Sequence, residues 1–236
     1  MCIRDRDIAA KTFENIEYST VPSLAMNRYS SLFFKKDPER FTSFIHNVAA
    51  GKANISGATL LPSTLISQTR NAANYRACVT ANNTKLDFKA AKAAAEAKIQ
   101  ADTVNGMWNT LVQRVRDAGT LQSSIAVCDV SGSMSSPTFK DGSCPMDSAI
   151  GLSLLISEVT APPFGGGFIT FSFEPQYVSL NEAPKGLVEK VEWMINTRWN
   201  MNTNFVAVFE DVILPMAIAK KPVSYTHLTL PTILRV

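Results

Sequence analysis

A short apolar run that ends in alternating polar residues constrains the fold of this chain more than any other feature. Residues 125–130 (IAVCDV) have the composition of a buried strand. Asp129 lies near its end, and Ser131 and Ser133 follow at alternate positions around Gly132. A carboxylate and two hydroxyls on one turn are ligands that Mg²⁺ accepts, and ligands bind at the carboxyl ends of parallel strands. The pattern predicts a metal site at one edge of a sheet; the alternative is a plain polar strand-to-helix turn.

The segments after this motif alternate between helix and strand. Residues 144–159 are expected to form a helix that is apolar on most of its faces, with a proline and an aspartate in its first turn. Residues 168–173 indicate a second strand, and 176–180 a short antiparallel return after a Glu-Pro turn. Residues 183–196 indicate another helix. The expected order is therefore strand, helix, strand, strand, helix.

The motif Asp-x-Ser-x-Ser resembles the metal-ion-dependent adhesion site of the von Willebrand factor A (vWA) family, and a vWA domain begins with the same order of elements. The resemblance implies a bound Mg²⁺ (or Mn²⁺), held directly by Ser131 and Ser133 and through water by Asp129. The family also supplies a threonine from a later loop, directly or through water. Thr203 is the candidate for that ligand; its alternative role is the N-cap of the helix predicted at 206–220.

Common enzyme patterns fit the opening strand poorly. Haloacid-dehalogenase phosphatases require a second aspartate two residues after the first, where this chain has Ser131. Gly-x-Ser-x-Gly, the signature of serine hydrolases, is not matched at either serine. A Ser-His-Asp relay would need His46, which we assign to helix packing. We therefore expect a non-enzymatic protein; a metal-dependent phosphoester hydrolase is the least favoured alternative, because it lacks a candidate base.

The two ends of the sequence differ in character from the rest. Residues 1–6 and 222–236 resemble translated sequencing-adapter read-through, and we exclude them from fold reasoning. The remaining chain is expected to divide into a mostly α-helical region, 7–120, and the N-terminal half of a vWA-like domain, 121–221. The expected fold class is thus α/β: a truncated, Rossmann-like vWA domain, comprising its first three strands and flanking helices, preceded by the helical region.

The vWA resemblance places a fourth strand, ending in a second metal-site aspartate, beyond residue 221. Without that strand we expect weak metal binding and an unpaired apolar edge on the strand at 125–130. The tail at 222–236 has high β-propensity and can fill the vacant position, but it brings no aspartate.

The region before the metal motif has helical periodicity. Residues 21–34 place apolar side chains on one face, and 37–51 begin with Asp-Pro-Glu and end in glycine. Residues 60–69 begin at a Leu-Leu-Pro turn. The Ala-rich stretch 89–101 is expected to be a solvated helix, and 107–119 has a clearer apolar stripe. We expect helical hairpins packed against the sheet.

Both regions together resemble the DUF2828 family over roughly residues 10–221. The resemblance is based on the segments DPERF (37–41), LLP (60–62), DVSGSM (129–134), PMD (145–147), ITFS (169–172) and MNTNF (201–205). The family is similar in layout to Ro/TROVE-type RNA-binding proteins, which join helical repeats to a vWA domain. The resemblance thus implies a second function, the binding of structured RNA along a basic channel. The candidate residues are Lys35, Lys36, Arg40, Lys52, Arg70 and Arg76.

Charge and cysteine content limit the other possibilities. The net charge of +3 falls to near neutrality without the two end segments, so nothing indicates DNA or a membrane as partner. Apart from Cys2 in the excluded N-terminal segment, the chain has three irregularly spaced cysteines, Cys78, Cys128 and Cys144. Such cysteines are typical of reduced thiols, and we expect a cytoplasmic protein. Our leading hypothesis is a binding protein whose metal engages an acidic group of a partner protein or a phosphate. Arg198 and Trp199 could contact that ligand or only anchor the loop.

Overall fold

The computed structural model describes residues 3–56, 60–70, 88–119, 121, 124–162, 164–197 and 204–220. Within these ranges the fold is mixed α/β, with helices predominating around a three-stranded sheet, as expected. The helices are α1 (Ile3–Ala10), α2 (Ser23–Lys36), α3 (Pro38–Ala49), α4 (62–70), α5 (Phe88–Ala118), α6 (Pro145–Val159), α7 (Leu187–Ile195), α8 (Phe205–Ala207) and α9 (Leu214–Lys220), the last two joined by a π-helical stretch (Val208–Ile213). The strands are β1 (Ala126–Cys128), β2 (Gly167–Thr170) and β3 (Tyr177–Ser179).

Local signals account for the helices of the N-terminal region. Pro38 occupies the first turn of α3, where the missing N–H group has no partner to lose. Gly51 follows the helix with a φ of 70°, a conformation that glycine adopts without strain. The helices predicted at 21–34, 37–51 and 60–69 are confirmed with ends shifted by a few residues.

The Asp-Pro-Glu-Arg-Phe segment also holds the chain that precedes α2. The Arg40 guanidinium donates hydrogen bonds to the carbonyl oxygens of Phe13 (3.1 Å) and Ile16 (3.0 Å), and it pairs with Asp37 at 3.0 Å. The hydroxyl of Tyr18 donates to the same carboxylate at 2.8 Å. Burial, together with this bond, raises the pKa of Tyr18 above its ordinary value. The segment therefore has a structural role: its side chains hold the chain that precedes α2.

The long helix α5 differs from the sequence prediction. We expected a solvated Ala-rich helix at 89–101 and a separate stripe at 107–119, but one helix spans both. Ala97 and Ile99 are buried, so the first half is not fully solvated. Gly106 lies at the crossing with α3: a Cβ atom there would be 2.5 Å from Cγ1 of Val48. The absence of a side chain at this position lets the two helices approach closely.

The sheet has the order β1-β2-β3. β1 and β2 are parallel, with Val127 opposite Ile169, and β2 and β3 are antiparallel, with Phe168 opposite Val178. Helix α6 packs against β1 and β2 on one face. On the other face, Ile169 packs with Val208 and Val212 of the π-helical stretch. The predicted second strand and its antiparallel return are confirmed.

One continuous core joins the N-terminal helices to the sheet. It contains Phe41 of α3, Trp108 of α5, Leu154 of α6 and Phe168 of β2. Polar contacts at Glu158 reinforce it, because this α6 carboxylate accepts from the indole of Trp108 at 3.1 Å and pairs with Lys190 of α7. The expected division at residue 120 stays a prediction. The interpretation of residues 1–6 and 222–236 as read-through also stays a prediction.

The predicted fourth-strand position and the tail at 222–236 lie outside the described residues. Among the described strands, β1 pairs only with β2, and its Val127 side chain is 40% exposed. No helix within the described ranges has both the length and the apolar character needed to cross a bilayer.

Candidate metal site

The predicted ligands Asp129, Ser131 and Ser133 lie on the turn that follows β1. The backbone N–H of Ser131 donates to Oδ1 of Asp129 at 2.8 Å, which orients the carboxylate across the turn. A 3₁₀ turn, Gly132–Ser135, follows directly and is closed by a hydrogen bond from the Met134 N–H to the Ser131 carbonyl at 2.9 Å. The three side chains are thus brought together by local backbone geometry.

The two serine hydroxyls are hydrogen-bonded to each other, at a spacing that also suits adjacent ligands of a small octahedral cation. The Oγ atoms of Ser131 and Ser133 are 3.1 Å apart. Adjacent ligands of an octahedral Mg²⁺, each at about 2.1 Å from the ion, are separated by about 3.0 Å. Asp129 and Ser131 are half-buried and Ser133 is exposed, so the cluster is open to solvent. The residues present therefore fit a hard divalent cation.

Two hydrogen bonds bring the chain after β2 and the start of α8 to this edge of the sheet. The Phe171 N–H donates to the Cys128 carbonyl at 2.9 Å, which places the end of β2 beside the turn at Asp129. The Asn204 N–H donates to the Ser172 carbonyl at 3.2 Å, which adds the start of α8. Asn204, the residue that follows the candidate threonine in sequence, therefore lies at the same edge.

Thr203 itself lies outside the described residues, so its role as a ligand stays a prediction. The alternative role, N-cap of the following helix, belongs to its neighbour. The N-cap of α8 is Asn204, whose Oδ1 accepts from the Ala207 N–H at 3.1 Å.

Helix α4 holds the segment between the metal motif and α6, a role that the sequence did not reveal. Arg70 pairs with Asp147 at 2.6 Å, and the side chain of Asp147 is 0% exposed. The same Oδ2 accepts from the Cys144 N–H at 2.8 Å. The sequence placed Asp147 in the first turn of α6, where its charge favours the helix dipole. The structure adds that Asp147 is the buried partner of a residue 77 positions earlier.

Two more contacts fix this segment to α4. Thr64 donates to Asp141 at 2.8 Å, and Ser67 donates to the Gly142 carbonyl at 3.2 Å. Hydrogen bonds from Ser143 and Thr64 lower the pKa of Asp141 below its ordinary value. The stretch from the candidate ligands to α6 is therefore attached to the helical region by side chains of a single helix.

Comparison with known proteins gives the family. The profile described as "Domain of unknown function (DUF2828)" matches residues 1–121, half of the chain. The chain belongs to the DUF2828 family. The second half matches a different profile, "Domain of unknown function (DUF7788)", at residues 123–225. The DUF2828 prediction is confirmed for residues 1–121, and the metal motif lies in the part that matches DUF7788.

One relative covers both matched parts. The chain is 25% identical over 222 residues to "Uncharacterized protein L728" of Acanthamoeba polyphaga mimivirus, which covers 89% of this chain. The chain spans about a third (33%) of the length of that relative. No solved structure matches the chain.

The basic residues proposed to contact RNA lie in the DUF2828 match, and half of them have structural partners. Lys35 pairs with Glu96 at 3.2 Å, Arg40 with Asp37 and Arg70 with Asp147. The two other described candidates, Lys36 and Lys52, are exposed, and Arg76 lies outside the described residues. RNA binding stays a prediction, with fewer free cations than the sequence suggested.

Other candidate groups offer little chemistry. Cys128 is a buried free thiol, and burial raises its pKa to about 12, which disfavours the thiolate form that nucleophilic attack and metal binding need. His46 is exposed on α3, so its assignment to packing was wrong. Within the described ranges no three His, Cys, Asp or Glu residues cluster as metal ligands. Arg198 and Trp199 lie outside these ranges.

Proposed function

We propose that this chain is a non-enzymatic binding protein that holds Mg²⁺ (or Mn²⁺) in a vWA-type adhesion site and engages an oxygen anion of its partner. The observation behind this proposal is the 3.1 Å separation of the Ser131 and Ser133 hydroxyls beside Asp129. The ligands would be Ser131, Ser133, Thr203 and, through water, Asp129. The bound ion would supply a position for a carboxylate or phosphate oxygen, since Mg²⁺ prefers oxygen ligands.

The topology supports the vWA assignment. A vWA domain has its second and third strands on one side of the first, and the described sheet has the order β1-β2-β3 with a parallel and then an antiparallel pair. The carboxyl end of β1 is also where ligands bind in open α/β sheets. Helices on both faces of the sheet agree with this architecture.

The test is a Mn²⁺ titration of the full chain, followed by electron paramagnetic resonance of the free ion. We expect saturable binding of one Mn²⁺, competed by Mg²⁺, and a loss of at least about ten-fold in affinity for Asp129→Asn and for Ser133→Ala. Ser136→Ala is the matched control, because Ser136 is an exposed serine just outside the ligand set. Equal Mn²⁺ affinity in all variants, or no binding by the unmodified chain, would contradict the proposal.

A further inference from the structure

Helix α4 connects the two parts of the chain that match different families. The helix lies within the DUF2828 match, whereas the turn at Asp129 lies within the DUF7788 match. Three of its side chains bond to residues 141–147 of the second part: Thr64, Ser67 and Arg70. The backbones also approach closely, since a Cβ atom on Gly151 of α6 would lie 2.9 Å from Cβ of Pro62. One part of the chain therefore fixes the start of α6 in the other.

Residues 139–147 continue this attachment to the turn that carries the candidate ligands. The Phe139 N–H donates to the Ser143 carbonyl at 2.7 Å, which closes a compact loop. Only residues 136–138 separate Phe139 from the end of the 3₁₀ turn Gly132–Ser135. Helix α6 also packs directly against that turn. A displacement at the start of α6 is therefore passed to the turn both by packing and by a short segment of chain.

Arg70 supplies the charge that balances the buried carboxylate of Asp147. Oδ2 of Asp147 accepts from Arg70 and from the Cys144 N–H, while Oδ1 has no hydrogen-bond partner in the part of the chain that the structure describes. The Asp147 side chain is 0% exposed, so water does not reach it. A buried charge without a counter-ion is strongly unfavourable, so the first turn of α6 is expected to move toward solvent when Arg70 is removed.

We propose that Arg70 is a positioning residue for the turn at Asp129, and that the DUF2828 part thereby sets the metal affinity of the site in the DUF7788 part. The effect on metal affinity rests on the proposed function. The effect on the turn does not, because every contact between Arg70 and the turn exists without a metal.

The experiment measures hydrogen exchange and Mn²⁺ affinity of the full chain. The informative amides are those of Ser131 and Met134, which are hydrogen-bonded within the turn. We expect Arg70→Met to raise their exchange rates and to weaken Mn²⁺ binding, each by about 2- to 30-fold, the range for changes that act on a site through packed neighbours. Arg70→Lys should restore most of both, because the pair is a single contact between Nη2 and Oδ2.

Glu158→Gln is the matched control. Glu158 pairs with the mostly buried Lys190, so its loss also destabilises the chain. It lies eleven residues after Asp147 on α6, about 16 Å along the helix. Its neighbour Ser157 donates to the carbonyl of Gly167 at the start of β2, so this end of α6 lies at the opposite end of the sheet from the turn. The control should leave turn exchange and Mn²⁺ affinity unchanged, because amides in an exposed turn exchange by local opening.

The outcomes separate this inference from the proposed function. Equal changes in Arg70→Met and Glu158→Gln, or unchanged exchange at the turn, overturn the inference and leave the metal site standing. If Arg70→Met does not fold, Thr64→Val replaces it, because it removes the bond to the exposed Asp141 without leaving a buried charge. Faster exchange at the turn then supports the inference, and unchanged exchange overturns it. Without Mn²⁺ binding by the unmodified chain, the proposed function and the effect on affinity are both overturned, and the exchange rates decide whether Arg70 positions the turn.

Discussion

The ion pair between Arg70 and Asp147 allows a strong test of how the helical region supports the metal-site segment. The change is Arg70→Met, which keeps the aliphatic stem and removes the charge. Asp147 has a side chain that is 0% exposed, so its carboxylate would lose its cation while buried. The Cys144 N–H would remain as its hydrogen-bond donor.

The magnitude follows from this burial. Removing one partner of a fully buried pair costs about 3–5 kcal/mol, because the other charge stays uncompensated. The Arg70 side chain is 35% exposed, so water can replace part of the lost interaction. We therefore expect the free energy of unfolding to fall by about 2–3 kcal/mol. The pair of Lys35 and Glu96, with Lys35 53% exposed, should be worth about 0.2–1 kcal/mol.

The assay is urea unfolding of the full chain, Arg70→Met and Lys35→Met, followed by circular dichroism. A change of 2–3 kcal/mol should lower the midpoint by about 1 M, and Lys35→Met by less than about 0.5 M. Hydrogen exchange at 139–147 should rise in Arg70→Met beyond the global effect, because Asp147 fixes the start of α6. The reasoning is refuted if the two variants lose the same stability.

Three further predictions test other contacts. Gly106→Val should lower the free energy of unfolding by about 2 kcal/mol or more in chemical denaturation, because the valine side chain would overlap Val48. Gly132→Ala is the control: the added methyl group meets open space, so the free energy of unfolding should change by less than about 0.5 kcal/mol. Glu158→Gln should cost about 2 kcal/mol in the same assay, because Lys190 is left mostly buried without its carboxylate; no change would show that the pair is dispensable. Folding raises the pKa of Cys128 from about 9 to about 12. The stability that the neutral thiol contributes is therefore complete below about pH 9 and is lost as the pH rises from there to about 12. Urea midpoints between pH 8 and 11 should therefore fall less steeply in Cys128→Ala than in the unmodified chain, and parallel curves would refute this.

Much of the secondary structure could be predicted because its signals are local. The Asp-Pro-Glu start of α3 and the glycine after it act within one or two turns. The Glu-Pro turn before β3 predicted that this strand runs back antiparallel to β2. The turn at Asp129 could be predicted for the same reason, because the hydrogen bond from Ser131 to Asp129 joins residues only two positions apart.

Other features could not be predicted because they depend on partners far along the chain. Periodicity did not show that one helix spans the stretch 89–118, or that Gly106 lets this helix approach α3 closely. Lys35, Arg40 and Arg70 resemble a basic face in sequence, yet each has an acidic partner. A lysine or arginine looks the same in sequence whether it is solvated or paired.

The sequence by itself determined the candidate metal motif and the element order around it, since both follow from spacing within a few residues. Only the tertiary structure decided which loops meet that motif and what holds it. Asn204 reaches the edge of the sheet through Ser172, and α4 holds the following segment through Arg70 and Asp147, 77 residues apart. The physical reason is that contacts between distant segments arise from the packing of whole elements around a shared core, which no local pattern specifies.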